Sequence, residues 1–196
     1  MSDDSLSDVD DVASPLTAEE RQGLIPSHII LRRDLIEAEN ICVTAAEKSA
    51  FALKRNVLDE DYLQMLHMAM FRDVWNWAGE YRRSEHRTGV HYWRIATELR
   101  ELLVNTRFWL EHKTYGPDEI AARFHHKLCW IRCFPDGNVR HARLATDLLL
   151  VSLEQPRFSW GRQGLMDSRP RRQRYIDALR AADGNDLQPL LDFVRT

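Results

Sequence analysis

The residues best able to do chemistry stand together at 134–143. There Phe134-Pro135-Asp136-Gly137-Asn138 reads as a tight turn that opens directly onto a helix carrying Arg140 and Arg143 on its first turns. The start of a helix presents backbone N–H groups with no partner inside the helix and the positive end of its dipole, so it favours an anion. Two arginines three apart lie close on one face and can fork onto phosphate oxygens. Asp136 is the only carboxylate in the turn, and one carboxylate together with substrate phosphates is a common way of holding Mg²⁺. Asn138 adds an amide donor. The same spacing suits a plain capped loop with two exposed arginines, and the residue types alone leave both readings open.

Such a turn must be held by helices, and helical periodicity dominates the chain. Thr17 and Glu20 match a capping box, which predicts a short helix near 17–23. From Arg32 to about Lys54 there is neither Pro nor Gly, and Leu35, Ile36, Ala45, Ala46, Ala50 and Leu53 recur at helical spacing. Asp59 offers a cap for a second helix whose stripe runs Tyr62, Leu66, Met70, Val74, Trp77, with Gly79 closing it. The segment 80–93 is polar and arginine-rich, with Gly89 and the short alternation Val90-His91-Tyr92, and predicts a small hairpin or an ordered loop. Periodicity resumes at Ile95 and runs through Phe108. Pro117 with Asp118 and Glu119 starts a helix reaching about Arg132, one follows the turn, and two more are expected near 169–182 and 186–194. The fold class is therefore all-α.

The bulk composition narrows the function. At 196 residues the chain suits one domain, expected over 15–196, behind an acidic flexible tail at 1–14. Residues 1–20 hold Asp3, Asp4, Asp8, Asp10, Asp11, Glu19 and Glu20 and no Lys or Arg; without them 27 basic residues face 23 acidic ones, a body of +4. That suits an anionic ligand, but it lacks the basic patch with interleaved aromatics that would indicate nucleic acid. No apolar run approaches the roughly 20 residues of a membrane helix, and the amino terminus has no secretory pattern, so a cytoplasmic protein without a membrane partner is expected. Cys42, Cys129 and Cys133 lack zinc-ligand spacing and read as reduced thiols in or near the core.

The turn resembles the signature of the Fic (Fido-domain) family, H-x-F-x-[D/E]-G-N-G-R-x-x-R, in Phe134, Asp136, Gly137, Asn138, Arg140 and Arg143. The likeness extends through FRDVWNWAGEYR at 71–82, RFHHKLCWI at 123–131, HARLATDLLL at 141–150 and RYIDALRAADGNDLQPLLDFV at 174–194. With PLTAEERQGLIPSHI at 15–29 these segments resemble the subgroup called mobile mystery protein B. The resemblance implies the Fic helical fold with a hairpin or loop flap, and transfer of AMP from ATP to a hydroxyl of a target protein. It implies that Asp136 holds Mg²⁺ on the nucleotide phosphates. Gly137, Asn138, Val139, Arg140 and Arg143 would bind those phosphates, Arg143 the outer ones. The flap at 80–93 would lay the target protein beside the site by strand addition.

Two positions depart from that signature. Arg132 stands where the family has its histidine, the base that takes the proton of the attacking hydroxyl, and a guanidinium stays protonated under ordinary conditions. Arg132 can bind a phosphate oxygen instead, or simply pair locally. Val139 replaces the second glycine, where a β-branched residue is strained if φ must be positive and crowds a phosphate even if it is not. The expectation is a nucleotide-binding relative of the adenylyltransferases with impaired catalysis. The alternatives are an active transferase using another base, or a protein-interaction module with a vestigial site. Many members of the family also carry an inhibitory helix, [S/T]-x-x-x-E-[G/N], whose Glu pairs with the last signature arginine. Glu39-Asn40 fits its second half, with Leu35 in the Ser/Thr place; Glu39 otherwise reads as a solvent-facing helix residue.

Overall fold

A computed structural model describes residues 14–18, 21–86, 88–161 and 168–196. The acidic stretch over 1–13, and Glu20 of the expected capping box, lie outside them. The described residues contain α1 (Arg32–Leu53), α2 (Glu60–Phe71), a 3-10 turn (Tyr92–Arg94), α3 (Ile95–Glu111), α4 (Pro117–Ile131), α5 (Asn138–Ser152), α6 (Ser168–Asp183) and α7 (Gln188–Val194). The only β-pairing among them is two isolated bridges, Pro15 with Leu31 and Leu24 with Trp75. No helix among the described residues is long and apolar enough to cross a membrane.

The helix boundaries follow local chemistry. The Asp59 carboxylate accepts the Tyr62 N–H at 3.2 Å and caps α2, Pro117 opens α4 with Asp118 and Glu119 behind it, and Lys54 and Arg132 end α1 and α4 in the left-handed conformation, at φ 46° and 51°. Two expectations fail. The stripe through Val74 and Trp77 does not continue α2, because after Phe71 the backbone pairs with an earlier segment instead. Ile25 N–H donates to Val74 O at 2.8 Å, and Asn76 N–H to Gly23 O at 2.9 Å. The described residues near 17–23 form turns, tied by Arg21 N–H to Thr17 O, rather than a helix.

α4 and α5, joined by the 132–137 turn, form the central pair; α3 packs on α4, α2 and α1 pack on α5, and α6 pairs with α7, which reaches back to α4. The main core lies among α1, α2, α3 and the inner faces of α4 and α5, with Phe71, Phe124, Leu99 and Ile131 deeply buried. A second core joins Ala121, Ala122 and Leu150 to Phe158, Trp160, Tyr175, Leu190 and Phe193. Each core encloses a neutral imidazole. His125 Nε2 lies 2.8 Å from Tyr175 Oη, and His141 Nε2 donates to Leu63 O at 2.9 Å. Burial pushes His125 down to about 3 and His141 down to about 4.

Imidazoles in the unfolded chain titrate near 6.5, so between that pH and the folded values the unfolded state binds more protons. The contribution of these two groups is fully present above about pH 6.5 and is lost as pH falls toward the folded values. The expected loss is about 1.4 kcal/mol per pH unit for each imidazole. Urea unfolding at pH 7 and pH 5 checks this, and His141→Gln, which keeps a donor for Leu63 O, should flatten the slope.

Candidate anion-binding site at the turn between α4 and α5

The turn that joins α4 to α5 is buried, which is unusual for a connection and forces every backbone polar group to find a partner in the protein. Cys133, Phe134 and Asn138 are each under 5% exposed. Three side chains supply the partners. The Asn138 amide closes the turn on itself: Nδ2 donates to Phe134 O at 2.8 Å, and Phe134 N–H donates to Asn138 Oδ1 at 2.9 Å. From α2, His67 lies 3.0 Å from Asp136 O through Nε2, while its Nδ1 accepts the Gly79 N–H at 3.0 Å. That second bond fixes the tautomer with the proton on Nε2, so His67 donates to the turn. Its ring stacks on Phe134 at 3.7 Å, and burial holds its pKa well below the usual imidazole range. From the start of the flap, Arg82 covers the last carbonyls of α4, donating from Nε to Arg132 O at 2.7 Å.

Gly137 is required by shape. It sits at φ 74°, and a Cβ there would fall 2.5 Å from the Phe71 ring. It leads into α5, so the first-turn amides of that helix face the turn, and the Asp136 carboxylate accepts the Gly137 N–H at 2.7 Å. Asp136 is half-buried, a loop carboxylate at the mouth of a helix N-terminus. The donor expected of the Asn138 side chain is spent inside the turn, so that residue offers a ligand its backbone only.

The two arginines part company. Arg140 Nη2 pairs with Glu39 Oε2 at 2.9 Å, and its guanidinium stands 4.9 Å from the Phe71 ring centre. Arg143 turns to the second core, its guanidinium 4.6 Å from the Tyr175 ring centre and 5.4 Å from that of Trp160, and its Nε is buried with no hydrogen-bond partner among the described residues. The expected common fork is therefore not preformed. Glu39 is not the solvent-facing residue that the helix pattern allowed: it is 6% exposed, and Trp75 Nε1 donates to its Oε1 at 2.7 Å. Its arginine is Arg140, not the last signature arginine, because Arg143 is held on the other core.

Arg132 ends α4 at φ 51°, and its side-chain stem lies against Gly89 of the flap, where an added Cβ would come within 3.2 Å of Arg132 Cβ. Val139 is inside α5 and is absent from the positive-φ residues among those described, so the feared backbone strain does not arise; its side chain packs on the second core. The described residues of 80–93 form no strand pairing and run as loop and bends into the 3-10 turn at Tyr92–Arg94. His125, His126 and His141 are all engaged elsewhere, His126 with Asp183 at 2.7 Å. The flap carries a pair that the sequence reading passed over: His91 Nδ1 lies 3.2 Å from Glu85 Oε1, and the His91 ring stacks on Trp93. His67 and Arg82 were also missed. His67 had the phase of a core position, and Arg82 was one of several arginines in a polar segment.

Residues 57–150 match the model of the Fic/DOC family. The protein adenylyltransferase Fic of Aedes aegypti is 31% identical over 119 residues, covering 59% of this chain and 22% of that protein; its counterpart in Drosophila melanogaster is 32% identical, covering 59% and 23%. The chain thus spans under a quarter of the length of these curated relatives. Solved structures share the fold at lower identity. BepC of Bartonella tribocorum, with bound AMPPNP, superposes with TM-score 0.64 at 18% identity over 89% of this chain and 95% of that one. The N-terminal Fic domain of a Bartonella quintana effector, with bound ADP, gives 0.65 at 18% identity over 86% of each.

Adding a methyl group at position 137 isolates the shape requirement. Gly137→Ala should destabilise the chain by about 2–4 kcal/mol through left-handed backbone strain and collision with Phe71. Gly116→Ala, where φ is −65° and nothing lies within 4 Å of the added Cβ, should be close to neutral. Urea midpoints of the two variants against the parent decide it.

Proposed function

We propose that the chain binds ATP or a related nucleotide at the α4–α5 turn and that its transfer of AMP to a target protein is impaired, a reading supported by the match of residues 57–150 to the Fic/DOC family model. One observation carries the reading: the turn is prebuilt, with its backbone satisfied by Asn138, His67 and Arg82, so that it can stand at the mouth of α5 without help from a ligand. The first-turn amides of α5 at Asn138 and Val139 would donate to phosphate oxygens, joined by the Gly137 N–H once it leaves the Asp136 carboxylate. Asp136 would hold Mg²⁺. Among the described residues no group of three or more His, Cys, Asp or Glu could hold a metal unaided, and one half-buried carboxylate fits an ion whose other ligands arrive with the nucleotide. Arg143, whose buried Nε has no hydrogen-bond partner among the described residues, would reach the outer phosphates by turning from the Tyr175 and Trp160 rings, and Arg140 would join it once released from Glu39. Glu39 then acts as an internal competitor for the phosphates. The quoted sequence segments favour the mobile mystery protein B subgroup, and the 80–93 loop is the docking place for a target protein.

In the family's reaction the target hydroxyl oxygen bonds to the α-phosphorus, pyrophosphate leaves, and the hydroxyl proton passes to a base. Arg132 cannot accept that proton. A second reading, in which turnover survives, has a specific support in the His91–Glu85 pair. The carboxylate holds Nδ1–H and leaves Nε2 as a base, on a flap whose Gly89 packs on Arg132.

Calorimetric titration with ATP and Mg²⁺ tests binding. Saturable binding is expected, weakened at least about tenfold by Asp136→Ala and strengthened by Glu39→Gln, which frees Arg140 while keeping the Trp75 bond. A folded parent chain that takes up no ATP overturns the reading in favour of a pure interaction module.

Catalysis is tested with ATP labelled on the α-phosphate. The parent should label itself or a lysate of its host poorly, whereas Arg132→His with Val139→Gly should exceed it by about 10²-fold or more, the usual worth of a general base. Strong labelling by the parent that vanishes in His91→Gln would instead establish the second reading.

A further inference from the structure

The flap has no ladder of its own among its described residues, yet it holds a defined place over the turn. A single buried side chain accounts for this. Arg82 is 3% exposed. Besides Arg132 O, its guanidinium reaches Ser84 O through Nη1 at 2.9 Å, Val90 O through Nη2, and Ile131 O more distantly at 3.4 Å. Its own N–H donates to Cys133 O at 2.9 Å. Ser84 lies on the outgoing arm of the flap and Val90 on the returning arm, while Ile131 and Arg132 close α4 immediately before the turn. One planar group therefore joins both arms of the flap to the C-terminal carbonyls of a helix, where a positive charge is favoured.

We propose that Arg82 is a positioning residue that sets the height and register of the 80–93 flap over the anion-binding turn. The five donors of arginine lie in a rigid plane that can serve several carbonyls on different sides, whereas the lysine ammonium is a point charge with three donors on a flexible stem. Gly89 makes the close approach possible, since any side chain there would press on the Arg132 stem. The latch sets where Val90 O stands, and with it the neighbouring His91 and the exposed Trp93. What the flap presents, and to which partner, rests on the target-docking reading above; the latch itself rests on the hydrogen bonds alone.

Hydrogen exchange followed by mass spectrometry, on the full chain and on Arg82→Lys and Arg82→Ala, tests the latch without requiring any activity. Both variants should exchange about tenfold or more faster than the parent over 84–93 and 133–138, with α3 and the later turns of α5 as protected as before. Millimolar guanidinium chloride should restore protection in Arg82→Ala, by filling the vacated plane, and should leave the parent unchanged. Unchanged flap exchange in either variant overturns the proposal. So does an equal loss of protection along every helix in both, which would make Arg82 a general core residue, and so does guanidinium that restores nothing in a folded Arg82→Ala. A parent that binds no ATP refutes nucleotide binding while the exchange result still decides the latch.

Discussion

The constraint on which this molecule depends is the burial of a connection. The turn from α4 to α5 passes through the interior, where an unpaired carbonyl or N–H costs on the order of 1–3 kcal/mol. Asn138 satisfies the turn from within, His67 from α2 and Arg82 from the flap. Each donor also ties the turn to a different part of the fold. His67 links it to Gly79, where the flap begins, and Arg82 links it to both arms of the flap. The site is thus rigid for the same reason that it is buried, and loss of any one tie exposes the others to strain.

Around this fixed turn the charges are distributed rather than pooled. Arg140 leans on Glu39 and the Phe71 face, and Arg143 lies between two aromatic rings of the second core. Removing Glu39 would leave a half-buried guanidinium with less company, and a phosphate is the ligand whose geometry best replaces a carboxylate. On the proposed reading, phosphate binding at the turn would exchange one anion for another at Arg140, and at Arg143 it would give a partner to an Nε–H that has none among the described residues. The two arginines report on opposite halves of the protein, α1 on one side and α6 on the other.

Much of this was legible in the sequence because it is local. The Asp59 cap, Pro117, the turn residues and the glycine before α5 mark boundaries by chemistry within a few residues, and the structure places α1, α2, α4 and α5 accordingly at their starts. What escaped was decided across the chain. The end of α2 depends on pairing with 23–25, which no periodicity announces. Arginines three apart differ by about 60° around a helix, enough to fall on either side when different cores flank that helix. His67 kept an apolar rhythm while acting as a polar bridge, and Arg82 looked like one more solvated charge. Glu39 looked solvated too, until Trp75 and Arg140 enclosed it.

The self-closing amide of Asn138 bears on how such a motif drifts over generations. Phe134, Gly137 and Asn138 cannot be exchanged freely whether or not a nucleotide is ever bound, since one fills the core, one fits against Phe71 and one completes the backbone bonding. Positions 132 and 139 are under weaker architectural veto, for one side chain runs under the flap and the other finds apolar neighbours as a valine. Those are the two at which the turn departs from the signature it resembles. Three of the eight fixed positions of that signature can therefore be held by folding alone, and their presence is a record of what the scaffold tolerates before it is a record of what the site does.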